Sequence, residues 1–174
     1  MTANKETETK IFNPTTNEQE FLIRKCILDD IDEVIEVNER ELPEDYPFFF
    51  YKSILDNFPE CFLVAQNKLG KIVAYIMWRV EKAPSINSLK YINKAHLVSI
   101  AVSESYRRRG IATILLSNSM KAIKKYKIDE YVLEVRVSNY TAIRLYEKLD
   151  YKIENIKKNY YRDGENAYFM TLAV

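Results

Sequence analysis

Apolar and polar positions alternate along this chain with two different periods, and the switches between them mark out its elements. Phe21-Leu-Ile-Arg-Lys-Cys26 reads as a first strand. Asp29 or Asp30 can cap a helix that carries Ile31, Val34, Ile35 and Asn38 at spacings of three and four. Two prolines bar ordinary helix interior from Leu42-Pro-Glu-Asp-Tyr-Pro47, and a short helix is expected from Phe49 to about Asn57. Cys61 to Gln66, the turn Asn67-Lys-Leu-Gly70, and Lys71 to Val80 make a hairpin. A polar loop over Glu81 to Lys90 and a long strand over Ile92 to Val102 are expected next. Ile111 to Tyr126 predicts a helix with Ile111, Leu115, Ala122 and Ile123 on one stripe. Tyr131 to Val137 is an unbroken β-rich run, the pattern of a buried strand. Asn139 to Leu149 reads as a helix, and Tyr151 to Ile156 and Ala167 to Leu172 as strands linked through an Asp163-Gly164 turn. The order is strand, two helices, three strands, helix, strand, helix, two strands. That is an α/β fold with a mixed sheet and helices packed on it.

The 174 residues fit one domain, over 21–174, behind a loose polar leader over 1–20. Basic and acidic residues number 26 and 25, a net charge of +1, so no nucleic acid is held by global electrostatics and any basic site is local. One histidine, and two cysteines without close spacing, give no expected metal site and no disulfide framework. Cys26 and Cys61 read as small buried hydrophobes. No apolar run approaches about twenty residues and no signal-like segment opens the chain, so a soluble, cytoplasmic protein without a membrane partner is expected.

Gly110 stands between a strand and a helix, directly behind Arg107, Arg108 and Arg109. Glycine lets a ligand approach the backbone closely. The unpaired amides of the next helical turn, with its dipole, suit a pyrophosphate, and the arginines can add charge-assisted bonds. A plain chain turn with a solvated basic patch fits the same residues. Glu134 interrupts the apolar strand Tyr131-Val-Leu-Glu-Val-Arg-Val137, where a carboxylate is either paired or working as a base. His96 opens a strand and is either a proton carrier or simply hydrogen-bonded. Tyr146 lies on the stripe Ala142, Leu145, Tyr146, Leu149, where a core tyrosine suffices, and Asn139 can cap that helix.

Arg107-x-x-Gly110-x-Ala112, between a long strand and an apolar helix, resembles the acetyl-CoA signature of the GNAT superfamily, Arg/Gln-x-x-Gly-x-Gly/Ala. Leu42-Pro-Glu-Asp-Tyr46, Ser99-Ile-Ala-Val102, Glu134-Val-Arg-Val-Ser-Asn139 and Tyr160-Tyr-Arg-Asp-Gly-Glu-Asn-Ala-Tyr168 are more specific. Together they resemble the catalytic subunit of protein N-terminal acetyltransferases, above all the archaeal single-chain form, from Phe21 to the C-terminus. The resemblance implies a GNAT fold, with a central, mostly antiparallel sheet splayed at the cofactor site between the strands Ile92 to Val102 and Tyr131 to Val137. It implies that Ile100, Ala101 and Val102 hold the pantetheine arm of acetyl-CoA. Arg107, Arg108, Arg109, Gly110, Ile111, Ala112 and Thr113 would hold its pyrophosphate, and Asn139 and Tyr146 would also contact it.

For catalysis the resemblance implies Glu134 and His96 as base candidates and Glu44 assisting at the substrate's first residue. Tyr146 would protonate the departing thiolate. Leu42, Pro43, Glu44 and Tyr46 would form the peptide pocket, and Tyr160 and Tyr161 would grip the substrate backbone. The expected reaction is direct attack of a protein's N-terminal amine on the thioester, without an acyl-enzyme. Lysine, one dedicated ribosomal protein or a small amine are the alternative acceptors, with a non-catalytic acyl-CoA-binding scaffold behind them. Ribosome proximity or an auxiliary subunit is the partner the resemblance raises.

Overall fold

A computed structural model describes residues 21–85 and 90–174; the polar leader over 1–20 lies outside them. The described residues hold one sheet with strand order β1-β2-β3-β4-β5-β7-β6. Its strands are β1 Phe21–Lys25, β2 Phe62–Asn67, β3 Ile72–Pro84, β4 Tyr91–Val102, β5 Glu130–Arg136, β6 Lys152–Lys157 and β7 Ala167–Ala173. The helices are α1 Ile31–Glu41, α2 Phe48–Asn57, α3 Ile111–Ile123 and α4 Tyr140–Glu147. All neighbouring strands pair antiparallel except β4 and β5.

The centre of β3 explains the layering. Ile72 to Trp78 are all buried, as expected of a strand covered on both faces. Tyr75 meets Asn38 of α1, whereas Trp78 donates from Nε1 to Ser119 Oγ of α3 at 2.9 Å. Positions 75 and 78 differ in parity, so α1 and α3 lie on opposite faces. Phe62, Tyr75, Ile76, Met77 and Trp78 are fully buried between them with Leu115 and Leu116.

The β4–β5 pairing is short. Its register joins Lys94 to Glu130, Ala95 to Tyr131 and His96 to Val132. Past that point Leu97 to Val102 and Leu133 to Arg136 have no register with each other, so the strands part. β4 carries a bulge where they do so: Trp78 faces Leu97 and Met77 faces Ser99, which leaves Val98 as the extra residue. Such a residue bends its strand and re-aims the side chains beyond it. At the closed end Lys94 Nζ meets Glu130 Oε2 at 2.8 Å, with side chains 9% and 8% exposed.

Three local expectations change. Glu81 to Pro84 continue β3 rather than forming a loop, because they pair with Lys94 to Tyr91; their polarity reflects a half-exposed ribbon. The third helix stops at Ile123 and tightens into a 3₁₀ turn, Lys124–Tyr126, closed by Lys127 at φ 54°. Asp30 does occupy the N-cap of α1, but its carboxylate accepts from the Ile27 amide at 2.8 Å and pairs with Arg24, so it fixes the preceding turn.

Candidate active site

His96 and Glu134 meet where β4 and β5 begin to part. His96 is the last residue of β4 paired with β5, and Glu134 lies two positions beyond its partner Val132. His96 Nε2 is 2.5 Å from Glu134 Oε2, and Lys157 Nζ, at the end of β6, donates to Glu134 Oε1 at 2.5 Å. Both carboxylate oxygens are therefore occupied, and the Glu134 side chain is 7% exposed. Burial pushes the Glu134 carboxyl up, but the hydrogen bonds and charges of His96 and Lys157 outweigh it and hold it at about 2. Nε2–H of His96 donates to the carboxylate, and Nδ1 lies 3.4 Å from an Arg79 N–H, too long for a strong bond. The two sequence-expected base candidates are thus in contact, and the carboxylate is also ion-paired.

Two loops overhang this cluster. The Leu42–Pro47 segment, barred from helix by its prolines, joins α1 to α2; Leu42, Glu44 and Tyr46 are half-buried and Pro43 is exposed. The Tyr46 hydroxyl donates to the Val98 carbonyl at 3.3 Å and its ring stacks on Phe50. The second loop joins β6 to β7 and turns at Gly164, where φ is 84°. Tyr160 and Tyr161 stand in it edge to face at 5.1 Å. The Lys157 ammonium lies 5.3 Å over the Tyr160 ring. Burial, with the charge of Glu134, pushes the Tyr160 hydroxyl up to about 12.

Arg136 clasps the two loops together. It reaches Glu44 Oε1 at 2.6 Å on one side and Asp163 and Glu165 at 2.7 Å on the other, with its guanidinium 4.0 Å over the Tyr161 ring. Glu44 is therefore tied to the Tyr160–Tyr161 loop through Arg136, and is not part of the His96–Glu134 pair. Arg136 and Lys157 are site residues that the sequence reading passes over. The usable signal was period two: Arg136 shares a strand face with Glu134.

Arg107 to Thr113 lie at the open end of β4. Gly110 caps α3 with φ 78°, and nothing comes within 4 Å of a Cβ built on it. Arg108 adds a second left-handed residue at φ 64°. The arginine side chains are less free than a bare basic patch: Arg107 donates to Glu41 Oε2 at 2.5 Å and to the Val102 carbonyl, and Arg109 bonds the Ser105 carbonyl and covers the Tyr106 ring. Ile100, Ala101 and Val102 form the parted stretch of β4 leading to this corner. A cavity of about 590 Å³ beside this corner, lined by Glu33, Glu36, Arg40, Glu41, Ser103 and Tyr106 among others, does not reach the His96–Glu134 pair.

Tyr146 is buried in α4, with Tyr151 as its ring neighbour at 5.9 Å, and burial pushes its hydroxyl up. Asn139 caps α4, its side chain accepting from the Ala142 amide at 3.2 Å. Cys26 and Cys61 are free and buried, and burial raises both thiols, Cys61 to about 12.

Comparison with known proteins adds three findings. Residues 28–151 match the acetyltransferase (GNAT) family. An N-alpha-acetyltransferase of Saccharolobus solfataricus is 46% identical over 156 residues, covering 87% of this chain and 92% of the relative. Among solved structures, Ard1 from Thermoplasma volcanium superposes with a TM-score of 0.77 at 28% identity, over 90% of this chain and 99% of that one. Naa20 of Chaetomium thermophilum, crystallised in complex with a bisubstrate analogue, gives 0.75 at 26% identity, over 87% and 86%.

Proposed function

The chain belongs to the GNAT acetyltransferase family, and from that premise we propose that it transfers acetyl from acetyl-CoA to the free N-terminal amine of proteins. The observation that carries the reading is the roofed mouth: the Glu44 loop and the Tyr160–Tyr161 loop, clasped by Arg136, overhang an acid–base pair at the parting of β4 and β5. Two loops clasped over the pair in this way suit an extended chain end. The 46% identity to a relative named N-alpha-acetyltransferase supports the same acceptor.

The residues present fit acetyl-CoA. Open space at Gly110, unpaired amides in the first turn of α3 and the parted backbone of Ile100 to Val102 suit a pyrophosphate and an amide-bearing arm. When bound, acetyl-CoA supplies an activated acyl group as a thioester. Arg107, Arg108 and Arg109 supply positive charge to its phosphates, and Asn139 flanks the route at the start of α4.

The acceptor needs little activation. An α-amine titrates at about 7.7–8.0 and lysine at about 10.4, so near neutrality the former is partly neutral and nucleophilic. Glu134, held at about 2, takes up no proton at working pH. Its part is to keep Nε2 of His96 protonated and to stabilise the imidazolium once Nδ1 has accepted a proton, directly or through one water. Glu44 and Tyr46 meet the first residue of the substrate with Leu42 and Pro43, and Tyr160 and Tyr161 hold its backbone. Tyr146 keeps its hydroxyl proton at neutral pH, as a donor to a departing thiolate must.

The test is incubation of the chain with acetyl-CoA and matched peptides, one with a free N-terminus and one blocked there but carrying a lysine. Mass spectrometry should find the acetyl group on the free terminus alone. Modification confined to the lysine would replace the α-amine with a side-chain acceptor.

A further inference from the structure

α1 carries one buried polar residue on its core face. Asn38 is 0% exposed among Ile31, Val34 and Val37. Its amide donates from Nδ2 to the Glu44 carbonyl at 2.7 Å. Its Oδ1 accepts from the Tyr75 hydroxyl at 2.5 Å, and that hydroxyl also contacts Ser99 Oγ at 2.7 Å. Tyr75 is fully buried and Ser99 nearly so. The chain of contacts therefore runs from the backbone of Glu44, through the core, to β4.

It arrives at a particular place. Ser99 follows Val98, the extra residue of the β4 bulge, and the Val98 carbonyl is the one that accepts from Tyr46. Two residues of the Leu42–Pro47 loop are thus fastened to two consecutive residues of the bulge by separate routes. A buried amide–hydroxyl chain is costly to desolvate and needs every member satisfied, and an apolar side chain at position 38 would fill the same space more simply. As a core filler alone, Asn38 has no rationale. As a fastening between the loop and the strand it has one.

We propose that Asn38 is a positioning residue for acetyl transfer, holding the Glu44 loop in register with the bulge of β4 through Tyr75 and Ser99. This rests on the acceptor-side role given above to Glu44. The donor half of the site, around Ile100 to Gly110, lies on the strand that the fastening reaches; the acceptor half lies on the loop. Asn38 sets the distance between them, and its loss loosens the acceptor side while leaving the donor side in place.

Three variants test this. Asn38→Asp turns the donor toward the Glu44 carbonyl into an acceptor. Tyr75→Phe and Ser99→Ala each delete one hydroxyl and keep the packing. Losing such a bond and stranding its buried partner is expected to raise the KM for the acceptor about tenfold in Asn38→Asp and Tyr75→Phe, and less in Ser99→Ala. CoA binding by calorimetry should keep the wild-type stoichiometry and affinity in all three. An acceptor KM unchanged in Tyr75→Phe would overturn the proposal. So would a loss of rate matched by an equal loss of CoA-binding sites, which would make the network a matter of folding alone. The KM is read with whichever amine the wild-type chain acetylates. The identity of that amine, found separately by mass spectrometry, decides the function proposed above, so the two can fail independently.

Discussion

At Glu134 a single carboxylate is bonded to a histidine and a lysine at once. With its carboxyl held at about 2, it stays ionised throughout the working range and acts as a fixed counter-charge. Glu134→Gln removes that charge and keeps the shape. Turnover is expected to fall by about a hundredfold while CoA affinity measured by calorimetry stays at the wild-type value. Unaltered turnover would take Glu134 out of the chemistry. Glu134 and His96 were legible in the sequence because a carboxylate in an apolar strand, and a chain's sole histidine, are conspicuous. Arg136, Lys157 and Glu41 were not. Charged residues at half-exposed positions are commonplace, and their partners are fixed by contacts such as Arg136–Glu44 that span most of the chain.

Between elements, the decisive feature is where β4 and β5 stop pairing. The Lys94–Glu130 ion pair closes the seam at its paired end, almost out of contact with solvent. Lys94→Met would leave Glu130 buried without a counter-ion and is expected to cost about 3–5 kcal/mol in urea denaturation. Adding Glu130→Leu should recover most of that loss, because an apolar pair of similar size fills the space without a desolvation penalty. If the double variant is no more stable than the single one, the pair does more than neutralise itself. The periodicity made each strand visible to within a few residues. It could not show the bulge at Val98 or the length of the β4–β5 register, since both arise from strand–strand fit rather than from local propensity. The parting of the strands came from the family resemblance, and His96 and Val132 now mark how far pairing reaches.

At the scale of the molecule, two buried-side carboxylates tie distant parts together. Glu60, in the 3₁₀ turn before β2, bonds Lys25, Lys125 and the Tyr126 hydroxyl, joining the first strand to the 3₁₀ turn after α3. Burial pushes its carboxyl up, but these partners outweigh it and hold it at about 2, as Glu134 is held. Both lie below the ordinary 4.5. A depressed carboxyl stabilises the fold fully above the ordinary value and loses that contribution as pH falls toward its folded value. Melting temperature should therefore change little on account of these groups from neutrality to about pH 5, then drop steeply toward pH 2. Glu60→Gln should make that drop shallower, and an unchanged slope by calorimetry would count against the assignment. The parted sheet has an effect on the whole chain as well. Strands β1–β4 and β5–β7 are two halves of the sheet whose backbone pairing across the seam is three residue pairs long, with side-chain links such as His96–Glu134 and Arg136–Glu44 beside it. A donor molecule lodged in the gap would stitch the halves together. The reactant is then also a structural member, and a cell short of it would hold this enzyme in the form most open to proteases.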